Sequence, residues 1–145
     1  MAEPGLDLGL THNALVCTDA DKTIDFYTRY GGMTSIHDRY DSGVRVFWLS
    51  DLRRAFAVGF LESKEAEAPL GPFGHLGVGV DSRERVDELV AMAEAEDRHV
   101  EGPTDTGPPV GYWAFIRDPD GHTLEVSHGQ AVEFAVEENR AARSS

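Results

Sequence analysis

Three side chains, His12, His75 and Glu125, have the types and positions to assemble one reactive centre. Each histidine opens a β-rich run, HNALVC and HLGVGV, and the two lie 63 residues apart. Glu125 falls inside the strand pattern Thr123–Ser127, where Leu124 and Val126 alternate with Thr123, Glu125 and Ser127. If the apolar pair faces a helix, strand alternation turns Glu125 to the opposite face. Two imidazoles and one carboxylate form the facial triad that suits Fe(II), with Mn, Ni or Zn also compatible, and leave coordination positions for water and substrate. A single strand histidine is more often a buried, hydrogen-bonded residue than a ligand. The matched placement of two is what makes a metal site worth considering.

The elements that must position these residues repeat. The 63-residue offset lays HNALVCTDADKTIDFY on HLGVGVDSRERVDELV. Each copy predicts a strand, a polar cap and a helix. Thr18 and Asp19 precede the first helix, which carries Ile24, Phe26, Tyr27 and Tyr30 and ends at Gly31-Gly32. Asp81 with Glu84 predicts a capping box for the second, whose Val86, Leu89, Val90 and Ala93 form an amphipathic stripe. Three short strands follow each helix: Thr34–Asp38, Val44–Leu49 and Ala55–Leu61, then Val100–Gly102, Tyr112–Arg117 and Thr123–Ser127. The expected architecture is α+β: two βαβββ modules, about 9–62 and 74–128, joined by a linker at 63–73 and followed by a short C-terminal helix over 129–143. Two such modules would form a cupped mixed sheet around a central cavity with helices outside. Were they to pack about a pseudo-twofold axis, His12 and His75 would meet near it.

The bulk composition fits this reading. The chain has 145 residues, 41% hydrophobic and 27% charged, and a net charge of −13 that repels nucleic-acid backbones. No apolar run is long enough to span a bilayer, and no signal peptide is visible, so a cytoplasmic location is expected. Cys17 has no partner for an internal disulfide and reads as a small buried residue.

The motifs Gly9-Leu-Thr-His12, Asp25-Phe26-Tyr27, Gly74-His75-Leu76-Gly77-Val78 and, above all, Arg117-Asp-Pro-Asp-Gly-His-Thr-Leu-Glu125 resemble those of the vicinal oxygen chelate superfamily. That superfamily groups glyoxalase I, methylmalonyl-CoA epimerase, extradiol dioxygenases, fosfomycin resistance proteins and bleomycin resistance proteins. The resemblance covers about residues 9–128. It implies that His12, His75 and Glu125 are metal ligands, that the substrate is a small molecule with vicinal oxygens, and that the protein is a homodimer. A fourth ligand in some members lies in strand four. Phe56, Val58 and Phe60 should face the helix there, so the matching position is Gly59 and no fourth donor is expected. The plain 63-residue offset would instead select Glu62. Phe115 stands where ring-cleaving members have a catalytic Tyr, and Thr106, Gly107 and Pro108 occupy the region of their active-site His. Phenylalanine cannot transfer a proton, which counts against ring cleavage.

Substrate-binding candidates are Arg45, Tyr112 and Trp113. Arg45 could equally pair Asp38 or Asp41. Tyr40, His122 and His128 lie near predicted strand ends, with His122 expected to be exposed after its turn. Trp48 and Trp113 also fit core or interface positions. The leading expectation is a divalent-metal-dependent lyase or isomerase of glyoxalase type. A bleomycin-resistance-type binding protein without catalysis, or a fosfomycin-resistance-type thiol transferase, are the alternatives.

Overall fold

A computed structural model describes residues 10–65, 69–70 and 73–144. Parts of the expected linker, and Gly9 of the first motif, lie outside the described residues. The chain divides into two compact units, residues 1–69 and 70–145. Both are α+β, each with a four-stranded mixed sheet.

In the first unit β1 (His12–Cys17), α1 (Ala20–Gly31), β2 (Thr34–Asp41), β3 (Val44–Ser50) and β4 (Ala57–Glu62) follow in order. The sheet order is β1-β4-β3-β2, with β1 parallel to β4 and the other pairs antiparallel. The second unit repeats the pattern as β5 (His75–Gly79), α2 (Arg83–Ala95), β6 (His99–Asp105), β7 (Tyr112–Arg117) and β8 (Thr123–His128), in the order β5-β8-β7-β6. The helix α3 (Val132–Ser144) closes the chain and begins three residues later than its sequence suggested. No helix among the described residues is long and apolar enough to cross a membrane.

The helices form where their apolar stripes find a sheet. Phe26, Tyr27 and Tyr30 of α1 are fully buried, and the Tyr27 ring lies 5.4 Å from Phe60, itself stacked on Phe47 at 5.2 Å. Val86, Leu89, Val90 and Ala93 bury the matching face of α2. Burial of side chains this size stabilises by about 1.5–3 kcal/mol each, and this term holds each helix to its own sheet. Gly32 ends α1 in the left-handed conformation, as expected of a C-cap. At the start of α2 the N-cap is Ser82, whose hydroxyl accepts from Arg85 N, and not Asp81. With Arg85 at N3 the predicted capping box does not form.

Two strands run well beyond their expected ends. β2 reaches Asp41 and β6 spans His99–Asp105, because backbone pairing to β3 and β7 carries polar residues that hydropathy does not mark. β6 tolerates Pro103 because it is an edge strand. Gly102 interrupts its register at φ +87, where a Cβ would sit 2.7 Å from the Trp113 carbonyl oxygen. Only glycine fits that approach.

Candidate functional site

Strand register defines which side chains share a face. In the second unit three rows cross β5, β8 and β7: His75, Thr123, Arg117; Gly77, Glu125, Phe115; Gly79, Ser127, Trp113. Leu124, Val126, Ala114 and Ile116 point the other way, toward α2, and are buried. Glu125 therefore lies on the face opposite the helix, as its alternation predicted.

His75 and Glu125 come together there. The His75 Nε2 stands 4.0 Å from Glu125 Oε2. The Nδ1 of His75 faces the Phe73 carbonyl oxygen, which can only accept, so Nδ1 carries the proton and the Nε2 lone pair is directed at the carboxylate side. A cation about 2.0–2.2 Å from each atom spans such a gap. Gly77 makes room: a Cβ there would meet Glu125 Oε2 at 3.4 Å. Glu125 is 8% exposed. Its only hydrogen-bond donor among the described residues is the Gln130 amide, whose Nε2 lies 2.9 Å from Oε2. A buried carboxylate with one neutral donor is poorly compensated, and a positive charge beside it would remedy that. The donor set thus fits a divalent first-row metal ion. Aromatic rings wall the pair, with Phe115 4.8 Å from the His75 ring, Trp113 4.8 Å from Phe115, and Phe73 edge-on to His75 at 5.9 Å.

The first unit presents the same face differently. His12 is exposed, on the side of β1 shared with Ala57 and Gly59, and its Nδ1 hydrogen-bonds Thr11 Oγ1 at 2.9 Å. Here Ala14 pairs Gly59 and Gly59 pairs Trp48, as Gly77 pairs Glu125 and Glu125 pairs Phe115 in the second unit. Gly59 is the counterpart of Glu125. Glu62 is elsewhere, its Oε2 accepting from Ala20 N at 2.7 Å at the start of α1. Among the described residues no three His, Cys, Asp or Glu side chains form a ready-made metal cluster. The pair His75 and Glu125 is what the second unit itself supplies.

Two proposed substrate residues lie on the helix side. Arg45 donates from Nη2 to Asp38 at 2.8 Å and from Nη1 to Asp21 of α1 at 3.0 Å. This guanidinium holds the Asp38 carboxyl below its usual range, and the two carboxylates raise the Arg45 pKa in turn. Tyr112 donates its hydroxyl to Asp87 of α2, which raises its pKa, and its ring lies under Arg83 at 4.0 Å. Both fasten a strand to its helix. Trp113 alone of the three shares the face of Glu125, half-buried, with Nε1 donating to Thr106 Oγ1 at 2.8 Å. His122 is buried, contrary to expectation, and its Nδ1 accepts from Leu70 N at 3.0 Å. His128 donates to the Val80 carbonyl, and Tyr40 is exposed. Trp48 is 42% exposed, which leaves the interface and not the core half of its expectation, and its ring lies 4.7 Å from His37 on the face of Gly59. Cys17 is buried as expected.

Residues 9–126 match the family model described as the Glyoxalase/Bleomycin resistance protein/Dioxygenase superfamily. The chain belongs to this superfamily. It is 36% identical over 126 residues to an uncharacterised protein of Pseudomonas aeruginosa, covering 85% of this chain and 90% of that one. It is 26% identical over 134 residues to a probable lactoylglutathione lyase of Vibrio parahaemolyticus, covering 88% and 96%. Among solved structures, Leishmania major glyoxalase I shares the fold at TM-score 0.69 and 20% identity, covering 93% and 96%. The fosfomycin resistance protein FosX of Listeria monocytogenes does so at TM-score 0.68 and 18% identity, covering 88% and 98%.

Gln130, Phe73 and His37 escaped the sequence reading. Gln130 and Phe73 lie outside the strands that bound the site, where no alternation marks them, and His37 sits just past the β2 bulge between Ser35 and His37.

Proposed function

We propose that this protein is a divalent-metal-dependent enzyme of glyoxalase type, a lyase or isomerase acting on a small substrate through two vicinal oxygens. The observation that carries the reading is the buried Glu125 carboxylate facing the Nε2 of His75, with no Lys or Arg paired to it among the described residues. His75 and Glu125 would hold the ion, and His12, at the matching position of the first unit, would complete the ligand set. Fe, Mn, Ni and Zn all suit two imidazoles and a carboxylate. The ion would act as a Lewis acid, stabilising negative charge that develops on the substrate oxygens.

The chain's own residues set the limits of the chemistry. The Phe73 carbonyl fixes the tautomer of His75, and the Gln130 amide fixes the Glu125 carboxylate. Phe115 packs on His75 and offers no proton to move, which disfavours ring cleavage. With Gly59 as the counterpart of Glu125, the first unit contributes no second carboxylate from that row. A FosX from Listeria monocytogenes has been solved complexed with Mn(II) and a dihydroxypropylphosphonic acid, and the Vibrio relatives are described as probable lactoylglutathione lyases. These support a metal and a small substrate. The protein is proposed to be a cytoplasmic homodimer, on the superfamily's pattern.

A second reading has its own observation. The row Trp113, Phe115, His75 and Phe73 could hold a flat small molecule without transforming it. Solvent deuterium exchange separates the two. Metal-loaded protein should catalyse wash-in at the carbon beside the carbonyl of the hemithioacetal formed from methylglyoxal and glutathione, and His75→Ala should abolish it. Saturable binding of small ligands without any metal-dependent exchange would favour sequestration.

A further inference from the structure

The second unit carries a charged group that neither the fold nor the proposed metal centre uses. The chain has 26 acidic against 13 basic side chains, and its structured arginines are mostly committed to neighbouring carboxylates. Arg39 pairs with Asp41, Arg45 with Asp38, and Arg83 with Asp105. Arg117 differs. Its backbone N–H donates to the Arg98 carbonyl at 2.7 Å, but its guanidinium makes no ion pair or hydrogen bond with the described residues, and the residue is exposed.

Its position in the register is what gives this meaning. Arg117 is level with His75 across Thr123, on the face that carries Glu125. Two strand spacings put its Cα roughly 10 Å from that of His75, a distance a small substrate covers. Two residues earlier on β7, Phe115 lies against His75. The row therefore offers a chelating pair, an apolar ring beside it, and a free planar cation at the far strand. In the first unit, where Gly59 replaces the carboxylate, the residue two beyond Trp48 is Ser50, with no charge.

We propose that Arg117 is a specificity-determining residue that recognises a carboxylate on the substrate whose vicinal oxygens are held at His75 and Glu125. The inference rests on the metal-centre reading above. A guanidinium suits this task because its parallel N–H groups match both oxygens of a carboxylate. Its solvent exposure keeps the effect modest and makes it sensitive to salt.

Catechol and 3,4-dihydroxybenzoate test this, because they offer the same pair of oxygens and only the second carries a carboxylate. Each is titrated into Mn(II)-loaded wild-type protein, Arg117→Ala and Arg117→Lys. Arg117→Ala should weaken 3,4-dihydroxybenzoate about tenfold, the scale of one charge-assisted contact. Catechol should change less than about twofold, as expected where no contact is lost. Arg117→Lys should recover part of the loss, and the loss should shrink as salt rises. If both ligands bind and Arg117→Ala affects them equally or not at all, the inference is overturned and the metal reading stands. If wild-type protein retains no metal, or metal-loaded protein does not bind catechol, both fall together.

Discussion

The two units share one architecture and differ at the row that matters. In the second, β5, β8 and β7 place Gly77, Glu125 and Phe115 side by side; in the first, β1, β4 and β3 place Ala14, Gly59 and Trp48 there. One unit has a carboxylate with an aromatic neighbour, and the other has a buried glycine beside a part-exposed indole. Each unit still opens on a histidine facing that side. A repeated scaffold can thus keep a histidine in both copies on its first strand and a carboxylate in one copy only on its last.

The sharpest way to break the contrast is to remove it. Glu125→Gly gives the second unit the first unit's residue at this row, and divalent-metal affinity should fall at least about 100-fold by calorimetry. Folding should persist, because Glu125 anchors no element. Next in size is Gly102→Ala. The bulge of β2 lies between Ser35 and His37 and needs no glycine, whereas β6 passes too close to Trp113 for a Cβ. Denaturant unfolding should show a loss of about 2 kcal/mol or more, from strain at positive φ together with the clash.

Glu62→Ala asks which residue truly matches Glu125. Loss of its bond to Ala20 N should cost about 1 kcal/mol of stability and leave metal content unchanged. A fall in metal content with stability intact would make Glu62 the fourth donor and refute the register argument. The smallest effect belongs to Gly59→Ala. Its Cβ would meet Asn13 O at 3.5 Å and Trp48 Cδ1 at 3.7 Å, ordinary contacts. Stability should stay within about 1 kcal/mol of wild type, with any change toward gain, and metal content should not move.

The repeat of strand, helix and three strands was legible because helix stripes and strand alternation are local. The alternation of Phe60 and Val58, both buried, placed Gly59 on the site face, where a constant offset would have selected Glu62. The offset fails because the hairpin and turn lengths differ: His12 and His75 lie 63 residues apart, while their strand partners Ala57 and Thr123 lie 66 apart. What misled was contact chemistry across elements. Tyr112 looked available in sequence, but Asp87 reaches it from α2, while Arg45 takes the Asp38 pairing its sequence allowed and adds Asp21 from α1. His122 follows an Asp-Pro-Asp-Gly turn of the kind that usually ends in solvent, yet the Leu70 amide seeks out its ring. Gln130 illustrates the remaining limit, since nothing in a lone amide after a strand announces that it will hold a carboxylate five residues back.

If His75 and Glu125 are metal ligands, metal stoichiometry reports it without a substrate. Protein purified without an affinity tag, stripped, reconstituted with Mn(II), Zn(II), Ni(II) or Fe(II) and freed of excess metal should retain close to one equivalent of a divalent ion per chain. His75→Ala and Glu125→Ala, each folded by circular dichroism, should each lose it. Retention below about a tenth of an equivalent of every metal by the wild-type protein, or full retention by both variants, would contradict the account.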